Sequence, residues 1–402
     1  MEKKKIWLSL AQMTGNEMEY INEAFETNWI APLGPNVTGF ENSLQDYLFD
    51  DSKSGHVVAL NTGTAGLHLA LVQLGIKAGD EVICQSFTFA ATANVITYLG
   101  AKPVFVDSEH DTWNMDPRLL DEVILSRRLL TGKFPKAIIC VNLYGMPAKL
   151  DELVAVSKKY DIPLVEDAAE SLGSSYRGQK CGTFGDFGVI SFNGNKIITT
   201  SGGGALICKD KETADKTLFY ATQARDSGPH YQHSEIGYNY RMSNVSAGIG
   251  RGQLSGLEYF INKRKSNHSL YAALLRNAYG ITVQENPTQD YESNFWLTCI
   301  TIDPRKFGKT AEQIRLELEA ENIESRPLWK PMHLQPVFAN MPYYGTGVSD
   351  NLFNTGLCLP SGVGLTENDI RTIVKVILHK DIMIDQIIIN RKYRVPQYQL
   401  QL

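Results

Sequence analysis

Short apolar runs alternate with segments of helical periodicity between residues 56 and 210. The apolar runs are rich in β-branched residues and predict strands: HVVAL, EVICQ, KPVFVD, KAIICVNLYG and IPLVED. The segments between them, such as 64–75, carry apolar residues at helical spacing. This alternation predicts a mostly parallel sheet covered by helices on both faces, with ligands bound beyond the carboxyl ends of its strands.

The pattern changes in the second half of the chain. FGVISFN and GGALICKD add two strand candidates, and residues 244–278 predict one long helix, bent near its glycines. Beyond it, the run NFWLTCITID, a helix over 310–321 and a last helix near 366–379 predict a smaller α+β domain. We therefore expect a large domain over 1–250 and a small domain over 251–382, and leave the apolar-then-basic tail 383–402 unassigned.

Charge and composition exclude several classes of protein. Hydrophobic residues make up 43% of the chain, as in globular proteins with a sizeable core. The formal net charge of −5 gives no general attraction to nucleic acid or anionic membranes. The N-terminal segment does not resemble a secretion signal, and no apolar run is long enough to span a membrane. The expected location is the cytoplasm.

The cysteines and histidines show no metal-binding spacing. The six cysteines are far apart and form no CxxC pair, and the eight histidines are scattered. Several cysteines lie in apolar strand candidates, so we predict buried free thiols in a reducing compartment and no metal site.

The segment NTGTAG (61–66) is the first candidate for ligand binding. It follows a predicted strand and opens a predicted helix, where free N–H groups bind phosphate and Gly63 permits close approach. A plain strand-to-helix turn capped by threonine has the same sequence. GIGRGQ (248–253) misses the dinucleotide fingerprint because Gln253 stands where the third glycine belongs.

Two further segments carry titratable groups at predicted strand ends. LVEDAAES (164–171) places Asp167 where it could hold a protonated pyridine nitrogen, although acidic residues also favour a first helical turn. SFNGNKIITTSGGGAL (191–206) contains Lys196 in an otherwise neutral stretch, where a desolvated amine could form Schiff bases. An exposed hairpin lysine is the alternative. A phosphate cradle, then Asp167, then Lys196 is the order expected for pyridoxal 5′-phosphate (PLP).

These segments, with WIAPLGP, CQSFTFAATAN, VNLYG, YNYRMSN and RPLWKPMHLQPVF, resemble the DegT/DnrJ/StrS family of PLP-dependent sugar aminotransferases. The resemblance runs from about residue 5 to 380. It implies the type I, aspartate-aminotransferase-like α/β fold, with a large PLP-binding domain and a smaller C-terminal domain. It also implies a homodimer with shared active sites.

The resemblance implies a role for each matching residue. Lys196 matches the Schiff-base lysine and Asp167 the partner of the pyridine nitrogen. The other matches are contacts to cofactor or substrate: Thr64, Ala65 and Ser191 as phosphate anchors, Phe89 covering the ring with Phe87 close in sequence, Glu170 near the ring hydroxyl, Asn239 from the neighbouring subunit, and Trp329, Lys330 and His333 at the sugar-nucleotide site. Ser201-Gly202-Gly203-Gly204 departs from the family's more usual glycine-glutamate-glycine.

Within the family the chain is similar to enzymes that aminate UDP-linked 4-keto-6-deoxy-N-acetylhexosamines, including those of bacillosamine and exopolysaccharide pathways. The resemblance implies L-glutamate as donor and a pyridoxamine phosphate form during turnover. A sugar dehydratase carries histidine in place of Lys196, so the lysine favours transamination. A non-catalytic PLP-binding homologue and a nucleotide-sugar dehydrogenase are disfavoured by the intact lysine–aspartate–phosphate set and by the absence of GxGxxG.

Overall fold

The computed structural model of the chain describes residues 4–49 and 54–379. Its strands, in chain order, are β1 (His56–Leu60), β2 (Glu81–Gln85), β3 (Lys102–Val106), β4 (Ala137–Val141), β5 (Leu164–Asp167), β6 (Ser175–Tyr176), β7 (Gln179–Lys180), β8 (Phe187–Ser191), β9 (Gly204–Cys208), β10 (Ile281–Val283), β11 (Tyr291–Glu292), β12 (Thr298–Ile302), β13 (Arg326–Pro327), β14 (Tyr343–Tyr344) and β15 (Gly356–Leu359).

The helices precede, separate and follow these strands. They are α1 (Glu17–Glu26), α2 (Pro35–Leu48), α3 (Gly63–Gln73), α4 (Ala90–Tyr98), α5 (Pro117–Thr131), α6 (Leu150–Tyr160), α7 (Lys211–Ala221), α8 (Asn244–Leu254), α9 (Leu257–Leu275), α10 (Pro304–Phe307), α11 (Ala311–Ala320), α12 (Val348–Thr355) and α13 (Glu367–Leu378). Short 3-10 turns cover Leu143–Gly145, Met332–Leu334 and Pro336–Phe338.

The large sheet has the strand order β1-β9-β8-β5-β4-β2-β3-β14. Every neighbouring pair from β8 to β14 is parallel, whereas β9 is antiparallel to both β8 and β1. The sheet is therefore mixed and mostly parallel, as the alternation of strands and helices predicted. Because the parallel strands end at one edge, the residues that follow them meet there.

Helices cover both faces of this sheet. Along β2, Val82 and Cys84 pack in a cluster with residues of α3 and α4, while Ile83 packs with residues of α5 and α6. Successive side chains of a strand point to opposite faces, so burial on both faces requires the continuous apolar runs seen in the sequence. The α/β, type I architecture is confirmed.

A second, antiparallel sheet has the order β10-β12-β15-β13 and lies in the C-terminal part of the chain. Ile6 forms a parallel bridge with Ile323, so the N-terminal segment lies against this part. The domain boundary at residue 250 falls inside α8 and stays a prediction. The tail 383–402 lies outside the described residues.

The long helix predicted over 244–278 is two helices. α8 ends at Leu254 and α9 begins at Leu257. A Cβ added at Gly256, between them, would lie 2.6 Å from Thr14 Cγ2. The predicted bend near the glycines is thus a break at Gly256. The close approach of the N-terminal segment at this point was not indicated by the sequence pattern.

The structure also bears on the predictions about the cysteines and about membrane-spanning helices. All six cysteines are free and buried, as predicted. Across residues 4–49 and 54–379, none of the helices combines the length and the apolar character that crossing a lipid bilayer requires.

Candidate active site

A cavity of about 280 Å³ lies beyond the carboxyl ends of β1, β5 and β8. The structure brings to it most of the sequence-predicted site residues, which line it together: Thr64, Phe89, Asp167, Glu170, Ser191, Lys196 and Trp329. Residues more than 260 positions apart thus share one cavity because their strands and turns end at the same edge of the fold.

Lys196 lies in the turn after β8, where its backbone N–H donates to Asn193 O at 3.0 Å. Its side chain is 13% exposed and enters the cavity. The Nζ atom lies 3.2 Å from Glu170 Oε1 and 4.1 Å from the centroid of the Trp296 ring. The alternative of an exposed hairpin lysine is therefore wrong.

Asp167 is the last residue of β5, and its carboxylate is buried. Thr92 Oγ1 donates to Oδ2 at 2.8 Å, and the Ala169 N–H donates to Oδ1 at 3.2 Å. Burial raises the pKa of the Asp167 carboxyl, and these hydrogen bonds and the charge of Lys196 oppose the shift. Within residues 4–49 and 54–379, Asp167 forms no ion pair, so a cationic group in the cavity would find a buried carboxylate.

Glu170 lies in the turn that follows β5, three residues after Asp167, and is also buried. The Tyr144 N–H donates to Oε2 at 2.7 Å, which leaves Oε1 toward Lys196. Burial raises the pKa of the Glu170 carboxyl, and the neighbouring Lys196 charge lowers it. The two side chains form an ion pair inside the cavity wall.

The start of α3 forms the other end of the cavity. Thr62 caps the helix, and its Oγ1 accepts the Ala65 N–H at 2.9 Å. Thr62, Gly63 and Thr64 line the cavity, whereas Ala65 is buried behind them. The first N–H groups of a helix lack intrahelical acceptors and favour an anion such as phosphate. Of the two α3 residues predicted as phosphate anchors, Thr64 lines the cavity and Ala65 does not.

The two phenylalanines of SFTF occupy different environments. Phe89 is 59% exposed, lines the cavity and lies 5.4 Å from the Trp329 ring centroid. Phe87 is fully buried and packs against Tyr144. An aromatic ring bound in the cavity could therefore stack on Phe89 and could not reach Phe87.

His333 and Lys330, expected at the substrate site with Trp329, do not line this cavity. His333 Nδ1 hydrogen-bonds Ser86 Oγ at 2.7 Å, and its Nε2 lies 3.2 Å from Asp350 Oδ2. Its ring stacks on Tyr343 at 3.6 Å, and burial lowers its pKa. His333 thus fixes the segment that carries Trp329, while the Lys330 side chain is exposed.

Asn239 is exposed and does not line the cavity of its own chain. Its carbonyl accepts a hydrogen bond from Asn61 Nδ2 at 3.1 Å, directly before the α3 cap. The side-chain amide is therefore presented on the surface close to the β1 end.

Three contributors were not found from the sequence. Thr92 and Tyr144 hold the two carboxylates, and Trp296 packs under the lysine amine. Tyr144 adopts φ 56°, a left-handed conformation that is rare outside glycine and often marks a functional constraint. Trp296 lies in an apolar run before β12, where a core role is the ordinary interpretation, so the sequence carried no signal for it.

These features fit a phosphorylated cofactor with a protonated aromatic nitrogen. The α3 start suits the phosphate, Asp167 suits the ring nitrogen and Phe89 suits the ring face. Lys196 supplies the amine, and Glu170 lies beside it.

Comparison with known sequences agrees with this chemistry. The pattern of the DegT/DnrJ/EryC1/StrS aminotransferase family matches residues 11–378. The chain is 49% identical to the putative pyridoxal phosphate-dependent aminotransferase EpsN of Bacillus subtilis, covering 94% of this chain and 96% of EpsN. It is 35% identical to the GDP-perosamine synthase of Caulobacter vibrioides, covering 92% of this chain and 96% of that protein.

Solved structures give the same result. The PLP form of the putative sugar aminotransferase Spr1654 from Streptococcus pneumoniae superposes with a TM-score of 0.84 at 27% identity. The match covers 94% of this chain and 98% of that one. Fold, cavity and sequence pattern therefore agree over nearly the whole chain.

Proposed function

Because the chain belongs to the DegT/DnrJ/EryC1/StrS aminotransferase family, whose members are PLP-dependent enzymes acting on nucleotide sugars, we propose a specific reaction for it. The enzyme transfers the amino group of L-glutamate to C4 of a UDP-linked 4-keto-6-deoxy-N-acetylhexosamine, for polysaccharide or glycan assembly. The observation that carries the proposal is the convergence of Lys196, Asp167 and the α3 start on one cavity.

The site residues take the following roles in this proposal. Thr64 and Ser191 bind the phosphate, Phe89 packs on the ring, and Asp167 keeps the ring nitrogen protonated. When bound, PLP supplies an electron-accepting ring that stabilises the carbanion at the donor's α-carbon. Lys196 Nζ removes the proton from that carbon. In the second half-reaction it delivers a proton to C4 of the sugar.

Glu170 holds the amine of Lys196 within the cavity lining. Its Oε1 is 3.2 Å from Nζ, and its own position is fixed by Tyr144. An ammonium formed at Lys196 is thus balanced by a buried carboxylate, which stabilises it without solvent. We therefore place Glu170 both beside the cofactor's ring hydroxyl and beside the lysine.

The substrate proposal is tested by visible absorption of the PLP-loaded enzyme. L-glutamate should bleach the cofactor band, and the UDP-linked 4-keto sugar should restore it, because the amino group moves onto the cofactor and then onto the sugar. Mass spectrometry should then show a sugar product in which CH–NH₂ has replaced C=O. L-aspartate and L-glutamine serve as alternative donors.

A GDP-linked 4-keto-6-deoxyhexose is the matched competitor, since the name of the perosamine synthase relative refers to a GDP sugar. Faster recovery of the band with the GDP sugar would reject the UDP assignment and keep the transaminase. Loss of water from the sugar without gain of nitrogen would support the dehydratase alternative. A protein that never develops a band with PLP would refute the cofactor site.

We also propose a cytoplasmic homodimer. The N-terminal region exposes a set of large apolar side chains, more than a monomer usually leaves in water: Trp7, Leu10, Met13, Met18, Phe25, Trp29, Ile30 and Leu33. Asn239 is exposed as well, so its side chain is accessible to a second copy. Free buried cysteines suit a reducing compartment.

Mixing two inactive variants tests whether the active sites are shared. Asn239→Asp would place a negative charge against the partner's phosphate, and Lys196→Ala removes the amine. Because each mixed dimer contains one intact site, random reassociation should restore about a quarter of wild-type activity. Sedimentation checks the dimer itself. Full activity of Asn239→Asp alone, or no recovery on mixing, would contradict shared sites.

A further inference from the structure

The indole of Trp296 forms the floor under the Lys196 amine. Nζ lies 4.1 Å from the ring centroid, within the distance of a cation–π contact. Trp296 is 3% exposed, so the contact is shielded from water. Cation–π contacts are strongest in such desolvated sites. The amine is therefore held on one side by an aromatic face and on another by Glu170 Oε1.

Trp296 also fixes the backbone that carries the lysine. Its Nε1–H donates to the carbonyl of Asn195, the residue before Lys196, at 2.6 Å. The Trp296 side chain thus contacts both the Nζ atom of Lys196 and the peptide carbonyl directly before Lys196. Rotation of the indole would break both contacts, so the position of Nζ is coupled to the position of the turn.

The backbone of Trp296 is anchored to the carboxylate side of the site. The Trp296 N–H donates to Asn294 Oδ1 at 2.8 Å, and Asn294 Nδ2 donates to Glu170 O at 2.9 Å. The Tyr144 ring stacks on Trp296 at an interplanar angle of 18°. The segment before β12 therefore sets Trp296, Glu170 and Lys196 at fixed distances from one another.

We propose that Trp296 is a positioning residue that docks the free Lys196 amine whenever that amine is not bonded to the cofactor. The inference rests on the proposed function, in which Lys196 alternates between a bonded and a free state. A free lysine side chain has several rotatable bonds and occupies many rotamers, so its amine spends little time in the reactive position. The neutral amine accepts the proton of the donor's α-carbon, and the ammonium that results is the species that the Trp296 face and Glu170 hold in one place until it gives the proton up.

The first test uses apoprotein and measures how fast the visible band grows after PLP is added. Trp296→Leu should slow this capture about tenfold, because the turn that carries Lys196 loses the Nε1–H bond to Asn195 O and no longer directs the amine to where the aldehyde arrives. Trp296 lines the cavity, but the affinity for pyridoxamine 5′-phosphate, which cannot bond to the lysine, should fall much less than the rate of capture. A role only in packing would weaken that affinity and slow capture together.

The second test follows the first half-reaction with L-glutamate and with its α-deuterated form. Slower proton transfer should lower kcat about tenfold with KM little changed, and should raise the isotope effect. Trp296→Phe, which keeps an aromatic face and loses the N–H bond to Asn195, should fall between wild type and Trp296→Leu. If Trp296→Leu does not fold, Trp296→Phe alone tests the docking role.

Trp113→Phe is the matched control, since Trp113 is a buried tryptophan that does not line the cavity. It should keep wild-type capture and isotope effect. Wild-type capture by Trp296→Leu, or an equal loss of pyridoxamine 5′-phosphate affinity, would overturn the docking role. If instead Lys196→Ala still formed the band, the proposed function would fail, whatever the behaviour of Trp296.

Discussion

Lys196→Ala is expected to reduce amino transfer by at least about 10³-fold, the largest effect of any single substitution in this chain. The variant loses both the covalent attachment to PLP and the base that moves the proton. Turnover is measured as 2-oxoglutarate released from L-glutamate in the presence of the keto sugar. The phosphate and ring contacts remain, so pyridoxamine 5′-phosphate should still bind, as titration calorimetry can show.

Lys209→Ala provides the surface-lysine control. Lys209 is 62% exposed and pairs with Asp186 at 3.5 Å, away from the cavity lining, so its removal should leave turnover unchanged. If Lys196→Ala kept its visible band and more than about a tenth of its turnover, another amine would perform the reaction. Loss of pyridoxamine 5′-phosphate binding together with activity would indicate a collapsed cavity.

Asp167→Asn is expected to lower kcat by about 10² to 10³-fold. A neutral amide cannot hold the ring nitrogen in its protonated form, so electrons from the donor's α-carbon are accepted less readily. The amide has nearly the same shape: its oxygen can accept the Ala169 N–H, and its nitrogen can donate to Thr92 Oγ1, because a hydroxyl either donates or accepts. PLP should therefore remain bound, with an absorption spectrum altered by loss of the ring proton.

The same substitution should not destabilise the apoprotein. Burial raises the pKa of Asp167, which means that the folded chain alone disfavours its ionised form. Replacing it by a neutral amide removes that cost, so the melting temperature without PLP should stay level or rise. A large fall in melting temperature would show that the carboxylate serves the fold and would contradict a cofactor role.

Glu166→Gln is the matched control for Asp167→Asn. Glu166 is the adjacent buried carboxylate on β5, but it accepts the N–H groups of Gly182 and Phe184 and does not line the cavity. We expect normal turnover per folded molecule and a lower melting temperature, because an amide nitrogen in place of one oxygen cannot accept these donors. Equal loss of turnover in both variants would mean that neither acts through the cofactor.

The sequence by itself determined the fold class and the order of the chemical groups. Apolar runs at 81–85 and 137–141 could be buried on both faces only in a sheet covered by helices on both sides. Such a sheet collects the residues after its parallel strands at one edge, so Asp167 and Lys196 could be expected near each other. These inferences depend on the local pattern of apolar residues and on the order of strands and helices, both of which can be read from the sequence.

Other assignments depended on side-chain direction. Phe87 and Phe89 are two residues apart and both follow the end of β2 at Gln85, yet Phe87 is buried in the core, whereas Phe89, the residue before α4, lines the cavity. His333 follows Trp329 closely but turns toward Ser86 and away from the cavity. Sequence similarity places such residues in the correct segment without giving their orientation.

Trp296 is the clearest case of a decision made by tertiary structure. It lies 100 positions from Lys196, in a segment whose pattern predicts a buried strand. Its ring reaches the amine because the segment before β12 packs in one cluster with Leu143 and Tyr144, which follow β4, and with Phe192, which follows β8. No local periodicity encodes contact between such distant segments, since it arises from the packing of whole elements. The sequence thus determined which groups perform the chemistry, while packing between distant elements decided what surrounds and positions them.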